Sequence, residues 1–273
     1  MPELPEIEAL VRRLAPRLVG QRVTRLEIHR PLVFRNLLPE PESETSIIGH
    51  RVTALERRGK YLLIGLDGYW LATNFMLTGN LTWPNAGERV KVRDYYTVAF
   101  GEHLMMRYND ARGMGKTYLV SDLVAIPGFI GMAPDPLSEE YTREVFSQQL
   151  QGQTGEIKGV LTRERIASGI GNAYADEILF AAGIYPFVKS ARLTDEQRDR
   201  LYVALREVLA SRIAYLLQHW PPTMNLHWRD GLLVHGRGGE PCPRCGTAIS
   251  EINVGKRPTS YCRTCQPGLL VRN

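Results

Sequence analysis

Apolar residues recur at helical spacing directly behind the N-terminus of the chain. The positions that share this face are Ile7, Leu10, Val11, Leu14 and Leu18. Pro5 suits the first turn of a helix, where its missing N–H is not needed, and Glu6 suits the positive end of the helix dipole. The pattern therefore predicts an amphipathic helix that starts near Pro5.

Strand signals follow this helix. Segments 61–66 and 69–73 flank Asp67-Gly68, which is a strong signal for a hairpin turn. Segments 95–100 and 103–108 flank Gly101-Glu102 in the same way. The first 130 residues are therefore predicted to form a mostly antiparallel β domain with a leading helix, either a sandwich or a barrel.

Helical signals dominate after a Pro-rich linker at residues 131–137. Helices are expected at about residues 139–150 and 156–161, and from Asn172 onward. The longest helix should start at the capping box Thr194–Gln197. The chain is thus predicted to be a multidomain α+β protein with three parts: 1–130, a linker with a helical domain at 131–232, and short strands around the cysteines at 233–273.

The charge of the chain indicates a polyanionic partner. The 273 residues carry a formal net charge of +5 and a pI of about 9.1, which favours binding to nucleic acid. No stretch approaches the ~20 consecutive apolar residues of a membrane span. The acidic, Pro-containing N-terminus does not fit a secretory signal. We therefore expect a cytoplasmic protein with no membrane partner.

The four cysteines form two C-x2-C pairs near the C-terminus: Cys242, Cys245, Cys262 and Cys265. The 16 residues between the pairs fall inside the window of zinc sites. Four thiolates complete a closed tetrahedral site, so we predict one structural Zn²⁺ per chain rather than four unconnected thiols. Between the pairs, Lys256 and Arg257 could clamp a phosphate at a hairpin tip or lie in a solvated turn.

The first residues carry candidate covalent chemistry. Removal of Met1 would give Pro2 a free secondary amine with a pKa near ~8, so much of it would be nucleophilic at neutral pH. Attack of this amine on a masked aldehyde carbon gives an iminium, and Glu3 can exchange protons beside it. The alternative is that Pro-Glu only starts the helix. With Met1 in place the Pro2 nitrogen is an amide and this chemistry is lost.

Three further motifs could contact a nucleic acid. Segment 168–172 holds two glycines before a predicted helix, so its N–H groups and Asn172 could bind a phosphate, although many helix connections look similar. Lys60 begins a predicted strand, where it either neutralises a phosphate or is solvated. In the Gly-rich loop 106–115, Arg112 and Met114 could enter a duplex and fill the hole left by an extruded base, unless this is a simple surface loop.

Taken in order, these motifs resemble the formamidopyrimidine-DNA glycosylase/endonuclease VIII family from end to end. The motifs that match are Pro2–Glu6, Lys60, residues 110–115, residues 169–177, Arg257 and the four cysteines. The resemblance implies an N-terminal antiparallel β-sandwich with a flanking helix, a helix–two-turn–helix domain and a C-terminal β-hairpin zinc finger. It also implies a monomer that acts on double-stranded DNA containing a damaged base or an abasic site, in a bacterial-type cytoplasm and at the nucleoid.

The resemblance implies roles for single residues. Pro2 is similar to the nucleophile, Glu3 to the acid/base beside it, and Glu6 to a supporting carboxylate. Lys60, Asn172 and Arg257 resemble the phosphate contacts around the flipped nucleotide, and Lys60 belongs to the catalytic set. Arg112 resembles the residue that replaces the extruded base.

The chain also departs from the family pattern. The family loop usually reads Asp-Pro-Arg-Arg-Phe-Gly, whereas residues 110–115 read Asp-Ala-Arg-Gly-Met-Gly, so Met114 replaces an aromatic wedge. A second inserted position, usually methionine, aligns with Leu77, or with Met76 after a slip of one residue. Segment 218–231 is short and lacks the sequence that covers the flipped base in oxidised-purine enzymes of the family.

We therefore predict a bifunctional DNA glycosylase and AP lyase that excises damaged bases, with oxidised bases expected first. The N-terminal proline would form a Schiff base, followed by β,δ-elimination. Two alternatives stay open. One is a non-catalytic protein that binds damaged DNA, and the other is a family enzyme that acts mainly on abasic sites or bulky adducts.

Overall fold

The computed structural model describes residues 1–85, 87–254 and 257–268, except for the side chain of Val254. The chain folds as two compact units. The first unit contains residues 1–131 and 213–228, and the second contains residues 132–212 and the chain from 229 onward. The division into three domains at residues 130 and 232 stays a prediction.

The first unit opens with the predicted helix, α1 (Leu4–Leu18). The apolar face of α1 is buried and packs on two neighbouring strands, β3 (Val52–Arg58) and β4 (Tyr61–Leu66). Pro5 lies in the first turn, as predicted. Burial of this face fixes the N-terminal residues against the sheet.

Two sheets form the body of the first unit. In the four-stranded sheet the order is β1 (Val23–Ile28), β7 (Asp94–Phe100), β8 (Leu104–Asp110) and β6 (Gly79–Thr82), all antiparallel. In the five-stranded sheet the order is β2 (Phe34–Asn36), β9 (Lys116–Val120), β5 (Tyr69–Asn74), β4 and β3. One apolar cluster takes residues from both sheets and from α1, so the unit is a β-sandwich with a flanking helix.

The two predicted hairpins are confirmed. β4 and β5 meet at Asp67-Gly68, and β7 and β8 meet at a turn that begins with Gly101. The pairing is mostly antiparallel, as predicted, and at one edge β2 pairs with β9 in parallel. These strands lie far apart in the sequence and β2 has only three residues, so no local pattern indicates their pairing.

The second unit begins with short helices and continues into a C-terminal hairpin. Its elements are α2 (Arg143–Leu150), α3 (Ile157–Thr162), α4 (Asn172–Ala182), α5 (Asp195–His219), β10 (Ser250–Val254) and β11 (Arg257–Tyr261). Helix α5 begins at the predicted capping box, where the Gln197 N–H donates to Thr194 Oγ1 at 3.2 Å and the Thr194 N–H donates to Gln197 Oε1 at 3.0 Å. From residue 213 onward α5 belongs to the first unit.

The predicted α+β, multidomain fold class is confirmed, with the helical region and the C-terminal hairpin in the predicted chain order. Among the described residues, no helix combines the length and the apolar character needed to cross a bilayer.

Candidate active site

The N-terminal residues are held against the first turn of α1. Glu3 precedes the helix in an extended conformation, and its N–H donates to Glu6 Oε2 at 3.0 Å. Pro2, Glu3 and Glu6 are all buried, with Glu6 fully inaccessible. The structure thus brings two carboxyl groups and Pro2 together at the positive end of a helix, where carboxylates are favoured. Such a group of residues can transfer protons in a site that admits little water.

Lys60 lies in the tight turn between β3 and β4 and is only 6% exposed. The alternative of a simple solvated lysine is therefore wrong, and the phosphate contact stays a prediction. Arg57, whose side chain is only 5% exposed, supports this turn because its Nη1 donates to the carbonyl of Gly59 at 3.5 Å. Its Nε donates to Glu8 Oε2 on α1 at 3.0 Å. Arg57 therefore ties the Lys60 turn to the helix that carries Glu6 and directly follows Glu3.

Glu8 keeps its negative charge in this arrangement. Burial acts to raise the pKa of Glu8, but hydrogen bonds from Arg12 and Arg57 and the charge of Arg57 outweigh this effect and lower it. The Glu8–Arg57 contact is consequently an ion pair at neutral pH.

The loop that carries Arg112 and Met114 is built around Asp110, which is fully buried at the end of β8. Asp110 accepts hydrogen bonds from the N–H groups of Arg112 at 3.0 Å and Gly115 at 2.8 Å. Burial acts to raise the pKa of Asp110, but its hydrogen bonds, that from Thr78 first among them, lower it below the ordinary value. An ionised carboxylate thus organises the loop from inside.

The same carboxylate connects this loop to the one that carries Leu77. Thr78 donates through Oγ1 to Asp110 Oδ1 and accepts from the Arg112 N–H at 3.1 Å. Leu77 is 42% exposed and Met114 is 40% exposed, whereas Met76 is half-buried. Of the two candidate positions, Leu77 therefore presents its side chain to solvent. The structure brings Leu77, Arg112 and Met114 together on one pair of loops.

Asn172 and Arg257 also occupy neighbouring positions. Asn172 is the first residue of α4, and its Nδ2 donates to the carbonyl of Pro258 at 2.7 Å. Arg257, the exposed first residue of β11, directly precedes that carbonyl. Gly171 occupies the cap position of α4, directly before Asn172. Lys256, considered with Arg257, lies outside the described residues.

A buried network of hydrogen bonds and ion pairs holds the Pro258 carbonyl in place. Lys158 Nζ donates to this carbonyl at 2.7 Å and lies 2.7 Å from Asp176 Oδ1. Asp176 Oδ2 accepts from the Ser260 N–H at 3.1 Å and lies 2.8 Å from Nδ1 of His235. The sequence reasoning missed this network because Lys158 and Ser260 have no motif that pairs them.

The glycine turn before α4 differs from its expected form. Residues 168–171 are buried, and the N–H of Gly169 donates to Glu164 Oε1 at 2.8 Å. That N–H is not available to a phosphate, so the expectation of an exposed donor is wrong at Gly169. A carboxylate already occupies the place where an anion was expected.

The four cysteines fit the predicted zinc site. The Sγ atoms of Cys242, Cys245, Cys262 and Cys265 all lie within 4.8 Å of one another. Strands β10 and β11 lie between the two pairs in the sequence, so the hairpin is connected to the site at both of its ends. Four thiolate donors form a closed tetrahedral set, which suits one structural Zn²⁺ per chain.

Family comparisons agree with this architecture. The Formamidopyrimidine-DNA glycosylase N-terminal domain matches residues 1–117, its H2TH domain matches residues 132–216, and a zinc finger found in FPG and IleRS matches residues 239–268. The formamidopyrimidine-DNA glycosylase of Chloroflexus aurantiacus is 36% identical over 278 residues, which cover 97% of this chain and 98% of that protein. This chain belongs to the formamidopyrimidine-DNA glycosylase family.

Solved structures of family members have the same fold. The MutM (Fpg) protein from Thermus thermophilus aligns with a TM-score of 0.82 at 31% identity, covering 97% of this chain and 98% of that one. The wild-type Lactococcus lactis Fpg (MutM), in complex with DNA containing N7-benzyl-Fapy-dG, aligns with a TM-score of 0.87 at 28% identity. That alignment covers 98% of this chain and 100% of the other.

The short segment at 218–231, which departs from the family pattern, is fixed to the first unit as far as residue 228. Trp220 is 3% exposed, and its Nε1 donates to the carbonyl of Asn225 at 3.0 Å. His227 Nε2 lies 3.1 Å from the carbonyl oxygen of Gly79. Tyr215 stacks on Trp228, with ring centroids 5.9 Å apart. Trp220 is therefore a core residue rather than a side chain available to a bound base.

Proposed function

We propose that this protein is a bifunctional DNA glycosylase and AP lyase that excises damaged bases, oxidised ones first, from double-stranded DNA. The observation that carries the proposal is the buried group formed by Pro2, Glu3 and Glu6 at the first turn of α1. A proline with an adjacent buried carboxyl group is suited to covalent chemistry once Met1 has been removed. Family membership supports the same reaction.

The proposed reaction begins at the Pro2 nitrogen. This nitrogen attacks C1′ of the damaged nucleotide, and the base leaves with the electrons of the glycosidic bond and receives a proton. The sugar opens to an iminium on Pro2. Loss of a proton from C2′ then expels the 3′ phosphate, and a second elimination expels the 5′ phosphate. Glu3 is proposed as the group that transfers protons, and Glu6 as the carboxylate that fixes the Glu3 backbone.

The remaining predicted residues are proposed to hold the duplex. Lys60, Asn172 and Arg257 would contact phosphates, while Arg112 with Leu77 and Met114 would occupy the space left by the flipped nucleotide. The four cysteines would hold the zinc that folds the hairpin carrying Arg257. We further propose that the protein works as a monomer at the nucleoid of a bacterial cytoplasm.

Borohydride trapping tests the proposal most directly. The enzyme lacking Met1 should form a covalent adduct with DNA that contains an abasic site, and peptide mapping should place the adduct on Pro2. Pro2→Gly should sharply reduce strand cleavage. The same protein with Met1 still attached is the matched control and should give no adduct. An adduct on a lysine, or full activity with Met1 in place, would refute the proposal.

A second candidate is an enzyme of the same core that acts mainly on abasic sites or bulky adducts. The observation that favours it concerns segment 218–228. This segment lacks the sequence that covers the flipped base in oxidised-purine enzymes of the family, and it is held in the first unit by Trp220 and His227. The Lactococcus lactis relative was solved with a bulky N7-benzyl lesion. Duplexes with single lesions, scored separately for base release and nicking, distinguish the two candidates. A protein that binds these duplexes without base release or nicking would instead be the non-catalytic alternative.

A further inference from the structure

Leu32 is an exposed apolar residue beside the paired loops, which are residues 75–78 and 110–115. It lies in a single 3-10 turn, Pro31–Val33, and is 65% exposed. The residues around it are fixed, because Val33 is fully buried and the Arg30 N–H donates to the Tyr95 carbonyl at 3.0 Å. An aliphatic side chain is thus held in solvent by a rigid backbone.

Gly113 brings Leu32 into contact with the loop that carries Arg112 and Met114. Gly113 has a φ of 62°, and a Cβ added there would lie 2.9 Å from Leu32 Cδ2 and 2.5 Å from the Tyr95 hydroxyl. A side chain at position 113 would therefore push Leu32 away. Since Gly113 lies between Arg112 and Met114, exposed Leu32 lies against the same loop as these two exposed side chains.

The charges around this surface fit one kind of occupant. The neighbouring strand β7 holds Asp94, which is buried and paired with Arg107. The segments that carry Leu32, Leu77 and Met114, residues 28–39, 74–83 and 111–121, contain no Asp or Glu. They carry exposed cations at Arg30, Arg112 and Lys116. The carboxylate between them, Asp110, is fully buried and accepts hydrogen bonds from the loop itself. An apolar surface rimmed by cations suits nucleic acid with opened base stacking, where aliphatic side chains cover base faces and cations face phosphates.

We propose that Leu32 is a third apolar contact to duplex DNA, packing beside Met114 against the base step next to the extruded nucleotide. This assignment rests on the proposed function and adds a residue to its DNA-binding surface. In this chain Gly113 makes the contact possible, and Leu32 with Met114 supplies apolar area from two separate loops.

Binding to a duplex with a tetrahydrofuran abasic analogue, measured by fluorescence anisotropy at several salt concentrations, tests the assignment. Leu32→Ala should weaken binding roughly five- to twentyfold, because part of a leucine side chain is lost from a buried contact. The loss should be the same at every salt concentration, since no phosphate contact is removed. Arg30→Ala should instead lower the slope of log affinity against log salt by about one.

Val124→Ala is the matched control, because Val124 is 58% exposed in another 3-10 turn of the same unit. It should bind like the wild type. Leu32→Met should retain binding and Leu32→Asn should lose it, which separates an apolar contact from a fold defect. A 2-aminopurine base placed beside the analogue in the duplex should fluoresce less in the complex with Leu32→Ala than in the complex with the wild type. Wild-type affinity for both Leu32→Ala and Leu32→Asn overturns the assignment.

Borohydride trapping of the wild type separates a failure of the Leu32 assignment from a failure of the proposed function. If the wild type gives the Pro2 adduct and Leu32→Ala binds normally, only the role of Leu32 is wrong. If the wild type gives no adduct and no nicking, the proposed function itself is wrong, whatever Leu32 contacts.

Discussion

Two regions of the first unit position their candidate residues by the same means and expose them in opposite ways. In the N-terminal corner, comprising Pro2, Glu3, Glu6 and Lys60, a Glu6 oxygen accepts from the backbone of Glu3. In the paired loops, Asp110 accepts from the backbone of Arg112 and Gly115. The N-terminal corner buries its candidate reactive groups with the carboxylate, whereas the paired loops bury the Asp110 carboxylate and expose Leu77, Arg112 and Met114. We therefore expect chemistry in the first region and contact with a partner in the second.

The largest expected effect separates chemistry from binding in the N-terminal corner. Glu3→Gln should slow single-turnover base release by about 10²–10⁴-fold, the usual contribution of a positioned acid/base. Affinity for the uncleavable tetrahydrofuran duplex should change only a few-fold, because the amide has nearly the same shape. Rapid-quench assays and anisotropy measure the two quantities. Equal losses in rate and affinity would show that Glu3 has no separate role in the chemistry.

The next effect tests the paired loops. Asp110→Ala removes the acceptor of two backbone N–H groups and of the Thr78 hydroxyl. Each buried donor left unpaired costs about 1–3 kcal/mol, so the free energy of unfolding in urea should fall by at least that amount and DNA affinity should fall with it. Asp122→Ala, at an exposed carboxylate that caps a 3-10 turn, is the control and should cost less. A stable Asp110→Ala protein with normal affinity would contradict this view of the loops.

A smaller effect is expected at the contact between α1 and the Lys60 turn. Glu8→Gln removes the carboxylate from buried Arg57 and should lower the free energy of unfolding by about 1–3 kcal/mol. Strand cleavage should fall less than in Glu3→Gln, because Lys60 is only displaced. Glu196→Gln, which breaks an ion pair that is mostly exposed, should cost no more than about 1 kcal/mol. Equal stability of the two variants would mean that Arg57 does not support the corner.

The features that could be predicted from the sequence are those with local signals. Asp67-Gly68 indicates its hairpin and Thr194–Gln197 its helix start, because the turn or cap is encoded within four residues. The cysteines identify a metal site because each C-x2-C pair is also encoded within four residues and two such pairs complete one site. The burial of Lys60 depends on Arg57 and Glu8, which lie on different elements, and no spacing relates them. The parallel pairing of β2 with β9 and the support of Asn172 by Pro258 are equally long-range.

One local prediction was wrong because a side chain a few residues away binds the group that was expected to be exposed. The glycines at 169 and 171 favour an open turn, but Glu164 bonds to the N–H of Gly169. The resemblance pointed to Leu77 and left Met76 open; Leu77 is exposed and Met76 is half-buried, and the choice of Leu77 stays a prediction. Burial of this kind follows from tertiary packing.

The smallest expected effect is an acid dependence of the paired loops. The pKa of Asp110 in the folded protein lies below its ordinary value of 3.8, so the ionised form favours folding. This contribution is complete above the pKa of the unfolded chain and is lost as the pH falls through the folded pKa. Asp110→Asn keeps one acceptor oxygen but cannot ionise. Its deficit in the free energy of unfolding should therefore be constant near neutral pH and shrink below about pH 4. Glu8 should give a similar loss of stability in acid, because its pKa is also lowered. The protein with Asp110 and the Asp110→Asn protein are therefore compared with the Glu8→Gln change present in both. If the difference between the two proteins stays constant in urea titrations between pH 7 and pH 3, the charge of Asp110 does not stabilise the loops.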